Sequence, residues 1–429
     1  MSGPRVGASV RSMGGVELAH VLPLLRRLEP DARACWVYDL DRLGERAERL
    51  TRAFRPLAPR IAYALKANAL PAITSRLATL GLHADAGSLG ELEAARAAGF
   101  SARSTTLSGN GRTPEEAAWV AAHGVSTVSA DSVAELDLLE AAMGRVGSSA
   151  RIALRINPGI MTATHAHVST GHAASKFGMS PSDALDAWAA RSRWPHLVVD
   201  GVHAHIGSQL LDRAPLIEAA RGLLSLADAS AARGAPLALI NLGGGFGHDH
   251  EHVAAAGFDV EAHARELTEL AAARSFEWGI EPGRWLVAPI GIVLAEVLSV
   301  KTRRDADGER RFIVLAAGMN DLLRPALYGA LHRIEPIEPR VGARSSAIVV
   351  GPVCESGDTF IADASLPPIE VGDLVAIQDA GAYGAGMSSN YNGRGRLAEL
   401  VAEGGSLRRA RRGETPDDLR ARDRDDPLG

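Results

Sequence analysis

Two side chains in this sequence are placed to act as nucleophile or proton donor, and several others to hold a ligand for them. Lys66 follows the apolar run Ile61-Ala62-Tyr63-Ala64-Leu65, just before a polar turn. A charged residue there reads as the C-terminal end of a buried strand. A lysine so held is partly desolvated, its pKa falls, and its amine can form a Schiff base with an aldehyde; otherwise it is a surface lysine ending a strand. Cys354, beside Glu355 in Cys354-Glu355-Ser356-Gly357-Asp358, is either a proton donor near a ligand clamp or a structural thiol. In Glu281-Pro282-Gly283-Arg284 the carboxylate can pair with a protonated ring nitrogen and Arg284 can grip an anion bidentately; the plain alternative is an ion pair at a strand end.

Other segments supply shape. His205, in His205-Ile206-Gly207-Ser208-Gln209, offers a flat imidazole able to stack on an aromatic ring. Gly243-Gly244-Gly245-Phe246-Gly247 would let backbone N–H groups approach a phosphate, or form a tight turn needing positive φ. Tyr383 stands among small residues in Asp379-Ala380-Gly381-Ala382-Tyr383-Gly384, where a phenol meets a ligand or covers a turn. His203 lies two residues before His205, a spacing that permits a metal site but lacks an acidic partner. His248, Asp249, His250 and His252 read as exposed loop residues, so no metal is expected. Together these segments supply a Schiff-base lysine, a phosphate cradle, a ring stacker, an acid for a pyridine nitrogen and a proton donor, the requirements of a pyridoxal 5'-phosphate enzyme.

The elements that must carry these groups alternate. From Ile61–Leu65 to Phe276–Glu281 the pattern predicts strand and helix in turn, about eight βα units in about 250 residues, which fits a closed (β/α)8 barrel with a parallel sheet. Lys66, Asp85, His205, Gly243–Gly245 and Glu281 then fall at strand C-termini, where such barrels place their chemistry. Ser88 with Glu91 predicts a capping box. After about residue 290 the pattern turns to strands separated by turns, predicting a β-rich second domain. The divisions expected are an N-terminal segment over 1–43, whose strand Ala34–Leu40 joins the β domain, a barrel over 44–290, and a β-rich domain over 291–429 ending in a solvated charged tail from Gly405. Residues 1–15 read as a flexible lead-in and Val16–Leu28 as a short amphipathic helix.

Bulk properties exclude some classes. The 429 residues carry a net charge of −5 with pI near 6.3, which leaves no nucleic-acid footprint. Two cysteines are too few for a disulfide framework and fit a reducing, cytoplasmic setting. Neither a secretory leader nor a membrane span is evident.

With these motifs in their order, the chain resembles the fold-type III pyridoxal-phosphate decarboxylases of the alanine racemase-like barrel class, and within them the diaminopimelate decarboxylases, over roughly residues 30–425. The resemblance is carried by YALKAN at 63–68, ADAGSLGEL at 84–92, INPG at 156–159, STGHAASKFGM at 169–179, GVHAHIGSQ at 201–209, NLGGGFG at 241–247, EPGRWLV at 281–287, AGMNDLLRPALYGA at 317–330, GPVCESGD at 351–358 and DAGAYGAGMSSNYN at 379–392. It implies that Lys66 carries the cofactor, that Asp85 and a stacking His205 contact it, and that Ser208, Gly243, Gly244, Gly245, Pro282, Gly283, Arg284 and Tyr383 surround it, with Glu281 on the pyridine nitrogen. It implies Arg284, Arg324, Tyr328, Glu355 and Tyr383 as substrate contacts, and Cys354 as proton donor to the neighbouring subunit's site in a homodimer. The implied reaction converts meso-2,6-diaminopimelate to L-lysine and CO2; a related carboxylated diamine, a racemase activity and a non-catalytic cofactor binder are the alternatives. Trp285 stands where the family has a small residue, so a change in pocket shape is expected.

Overall fold

The computed structural model describes residues 10–159, 176–250, 257–272, 274–305 and 308–423. The chain divides into two compact units: one spans Gly44–His248 and Ala256–Leu286, the other Met1–Leu43, Asp249–Ala255 and Val287–Gly429.

The first unit is a closed barrel of eight parallel strands: Arg60–Ala64, His83–Ala86, Thr105–Leu107, Thr127–Ala130, Ala150–Arg155, Leu197–His203, Leu239–Asn241 and Glu277–Ile280. Most strand residues are buried without alternation, because side chains fill the barrel on one face and helices cover the other. Helices Pro71–Thr79, Leu89–Ala97, Pro114–His123, Val133–Val146, Pro181–Ala189, Ala214–Ala232 and Val260–Ala271 connect them. Their starts follow from local chemistry. Thr113 and Glu116 form a full capping box. At Ser88 the box is only half formed: its side chain accepts the Glu91 N–H at 3.3 Å, but the Glu91 carboxylate turns to the N–H of Gly87 at 2.7 Å. Closure comes from the last strand pairing with the first, extended by Ala64 N–H to Pro282 O at 3.2 Å. At the N-terminal side of the strands, Arg60 pairs with Glu277 and Arg151 with both Glu277 and Asp200, leaving the carboxyl ends for other work.

In the second unit Ala34–Asp39 is central, antiparallel to Gly291–Asp305 and parallel to Ala398–Glu403. Gly308–Leu315, Ser345–Val350 and Thr359–Leu366 extend one edge; Leu374–Ile377, with Ile334–Pro336 beside it, also pairs with Gly291–Asp305. Leu18, Val21, Leu22, Leu25, Cys35, Val37, Ile292, Leu294 and Leu400 make its core.

Three expectations need correction here. Residues 12–17 are a small antiparallel ladder with Met13 buried, not a flexible lead-in; residues 1–9 lie outside the described residues. The helix expected over Val16–Leu28 shrinks to Val21–Leu25 behind a 3-10 turn, although its apolar face packs on the core. The tail is not simply solvated: Ser406–Arg411 pairs with Ala398–Glu403, and its arginines have acidic partners, Arg409 with Glu29 and Arg411 with the buried Glu399.

Candidate active site

The carboxyl ends of the barrel strands bring together Lys66, Asp85, His205, Ser208, Gly243–Gly245, Glu281 and Arg284. Lys66 sits in the 3-10 turn Leu65–Ala67, just past its strand, and is exposed. The desolvated lysine expected from the sequence is therefore not found: the strand stops at Ala64, and the next turn carries the side chain to the open mouth. Its ammonium still acts on Asp85, Glu91, His205 and Glu281. The turn is braced by Tyr63 Oη to Asn68 O at 2.8 Å.

Two buried carboxyls are driven apart. Burial, reinforced by Glu281 and opposed by Lys66, pushes Asp85 up. Burial would raise Glu281 as well, but His203 beside it, with Lys66 and His205, outweighs that and holds it well below the ordinary carboxylate range. One environment thus keeps a proton and the other a charge. Glu281 is gripped at both oxygens. Asn241 Nδ2 donates to Oε1 at 2.8 Å, and His203 Nε2 lies 3.2 Å from Oε2. Sequence reasoning gave Asn241 no role and His203 only a possible metal role; the signal for Asn241 was its place two residues before Gly243, whose N–H it accepts at 2.9 Å in an Asx turn.

His205 Nδ1 accepts the N–H of Gly244 at 3.1 Å. That bond puts the ring proton on Nε2 and fixes the plane. Burial first, then the charges of Lys66 and Arg155, hold His205 well below the ordinary histidine range, so it stays neutral and flat. In the glycine loop the N–H groups of Gly243 and Gly244 donate to Asn241 Oδ1 and His205 Nδ1. Side chains are excluded for packing reasons. A Cβ on Gly243 would meet Ala204 O at 2.5 Å and one on Gly245 would meet Gly207 O at 2.6 Å. Arg284 is buried, and its Nη2 donates to Ser208 Oγ at 3.1 Å. Trp285 does not line the site. It is buried beneath the Arg46 guanidinium, 3.9 Å from its ring centre, with Nε1–H on Phe258 O at 3.2 Å.

The remaining predicted residues lie in the β-rich unit. Arg324 and Tyr328 are on the short helix Arg324–Tyr328; Arg324 is buried, 3.5 Å from His332 Nε2, whose Nδ1 donates to Gln378 O at 2.9 Å. Tyr383 adopts φ +54°, a costly conformation for a bulky side chain. Cys354 is a free, exposed thiol whose backbone N–H donates to Asn392 Oδ1 at 3.1 Å. Glu355 is exposed, and the N–H of Gly357 with the Ser356 hydroxyl holds its carboxyl below the usual range. His250, expected in an exposed loop, is instead buried, its ring edge-on to His332 at 5.1 Å; His248 and Asp249 are half-buried and His252 lies outside the described residues. So do residues 169–175 of STGHAASKFGM.

Comparison with known proteins decides the family. A family model described as "Pyridoxal-dependent decarboxylase, pyridoxal binding domain" matches residues 40–288. The chain belongs to this family. A curated diaminopimelate decarboxylase from Neisseria meningitidis serogroup A is 40% identical over 396 residues, covering 92% of this chain and 95% of that protein. The crystal structure of diaminopimelate decarboxylase from Helicobacter pylori, complexed with L-lysine, superposes with a TM-score of 0.87 at 36% identity, covering 93% of this chain and 98% of that one. A lysine/ornithine decarboxylase from Vibrio vulnificus, complexed with cadaverine, has a TM-score of 0.77 at 20% identity over 90% of this chain and 99% of that one, a likeness of fold alone. The enzyme is a pyridoxal-phosphate-dependent carboxy-lyase with the expected barrel and β-rich second domain. The donor set of the site fits that cofactor: an accessible amine, a flat neutral imidazole, a charged carboxylate fixed at both oxygens, and a buried guanidinium beside a hydroxyl. Among the described residues, no helix is long and apolar enough to cross a membrane.

Proposed function

We propose that this enzyme decarboxylates meso-2,6-diaminopimelate to L-lysine and CO2, in lysine biosynthesis. One observation carries the reading: curated diaminopimelate decarboxylases match at 40% identity along 92% of the chain, whereas the lysine/ornithine enzyme shares only the fold.

In this reading Lys66 holds the cofactor through its amine, His205 covers the ring face, Glu281 accepts from the ring nitrogen, and Arg284, Ser208, Tyr383 and the turn at Pro282-Gly283 surround the phosphate. Asp85 and Gly243–Gly245 complete the contacts. Bound pyridoxal phosphate supplies an aldehyde for the substrate amine and a ring that takes up the electrons left when CO2 departs. Glu281 favours the protonated ring nitrogen because its own charge persists in a buried setting. Arg284 and Arg324 take the carboxylate of the distal amino-acid end, Glu355 takes its amine, and Tyr328 packs beside them. Cys354 returns a proton to the substrate carbon. A distal carboxylate needs cationic partners, and the buried Arg324 meets that need; a site for ornithine would have no use for it.

Further parts of the reading concern the assembly. The enzyme is a homodimer in which the exposed Cys354 of one subunit serves the barrel of the other. Its two free thiols fit a cytoplasmic location. The domains run 1–43, 44–290 and 291–429, supported by the pairing of Ala34–Asp39 with Gly291–Asp305. A CO2-release assay across meso-diaminopimelate, ornithine, lysine and arginine tests the substrate. Turnover of meso-diaminopimelate is expected to exceed the others by at least about a hundredfold, the cost of leaving a buried polar group unmatched; comparable turnover of ornithine would overturn it.

A further inference from the structure

We propose that His203 and Asn241 are positioning residues that hold Glu281 as an oriented, ionised carboxylate, one oxygen each. The inference rests on the reading of Glu281 as partner of the cofactor's ring nitrogen, and adds how the chain keeps that carboxylate fit for the role.

The geometry is specific. Glu281 is 4% exposed, His203 1% and Asn241 7%. A buried carboxylate without donors would protonate. The amide of Asn241 has one possible orientation, because its Oδ1 already accepts the N–H of Gly243. Its Nδ2–H is therefore the end that meets Glu281 Oε1. The Gly243 carbonyl in turn accepts the N–H of Glu281 at 2.8 Å, so backbone and side chain are tied to one turn.

His203 meets the other oxygen with Nε2. Its Nδ1 is buried and, among the described residues, has no hydrogen-bond partner. Each oxygen of Glu281 thus has its own donor. The two donors orient the carboxylate towards the position a cationic ring would take. The other charged or titratable groups acting on Glu281 are Lys66 on the turn after the first strand, Asp85 at the end of the second and His205 after the sixth.

The test uses two readouts. In cofactor-free protein, the melting temperature of Asn241→Leu is compared with wild type from pH 7 to pH 4. Asn241 does not titrate, so a purely packing loss gives a constant gap. If Asn241 sustains the ionised form, Glu281 titrates higher in the variant than in wild type, so the gap narrows as pH falls through the variant's titration while wild-type Glu281 stays ionised. A constant gap overturns the proposal. In the loaded enzyme, the pH at which the visible cofactor band is half lost on the acid side is expected to rise by about one unit or more in His203→Phe. His203→Gln, which keeps a donor near the position of Nε2, stays near wild type. An unmoved acid limb in His203→Phe overturns the proposal, and Asn241→Leu serves for this measurement if that variant does not fold. Glu281→Gln separates the two readings: an unchanged band in that variant, together with a narrowing gap in Asn241→Leu, supports the grip while refuting the ring-nitrogen role.

Discussion

At the residue scale, exposure decides what Lys66 can do. Its side chain is exposed, so Lys66→Ala should fold normally and shift the melting temperature of the cofactor-free protein by no more than about 2 °C. The same change should abolish the visible absorbance of bound cofactor; a band of wild-type strength would assign the attachment to another lysine. The candidate site was legible where a residue's type and its place at a strand end were enough. Asp85, His205, Glu281 and Arg284 were found that way, and the barrel brings them to one mouth. What was not legible was partnership across strands. His203 meets Glu281 because the last strand and the sixth flank Leu239–Asn241 on opposite sides, a matter of register that spacing along the chain does not encode. Trp285 misled for a related reason. It follows a site residue, yet its ring is committed to Arg46 and Phe258.

At the scale of elements, the helix Val260–Ala271 shows how a site loop is fixed from behind. His263 packs edge-on to Phe54, Phe246 and Phe258, with ring centres 6.1, 5.4 and 5.1 Å away. Phe246 belongs to the glycine loop, so this aromatic nest ties the loop to the helix. Burial, with a smaller push from Arg213 against the pull of Glu266, lowers His263 to about 4. The folded state therefore excludes a proton that the unfolded chain binds below about pH 6.5. The stability concerned is fully present above that pH and is lost as pH falls towards 4. Replacing His263 with Leu should make unfolding free energy less pH-dependent, narrowing the change between pH 7.5 and 4.5 by about 2 to 3 kcal/mol. Denaturant titrations at the two pH values measure this, and an identical change in both proteins would mean that His263 titrates normally. Elements themselves were readable where period and caps agreed: Pro114–His123 follows from its capping box. Ser406–Arg411 was not, because a strand at the sheet edge that bonds acids with its arginines carries no apolar alternation.

At the scale of the whole molecule, a proposed shared site makes a prediction that no single chain can mimic. Lys66→Ala removes the amine from every barrel, and Cys354→Ala removes the thiol from every β-rich unit, so each homodimer has two defective sites. Suppose the thiol of one subunit serves the lysine of the other. A mixed dimer then has one site with both residues intact and one with neither. Random pairing of equal amounts makes half the dimers mixed, so about one quarter of all sites are complete. Co-expression should thus recover up to about one quarter of wild-type CO2 release, well above the summed activity of the separate variants. If lysine and thiol instead come from one chain, no pairing restores a complete site, and the mixture shows only that sum. Cys354 suits such a test because it is exposed and unbridged, so its replacement by alanine leaves no buried void to confuse folding with catalysis.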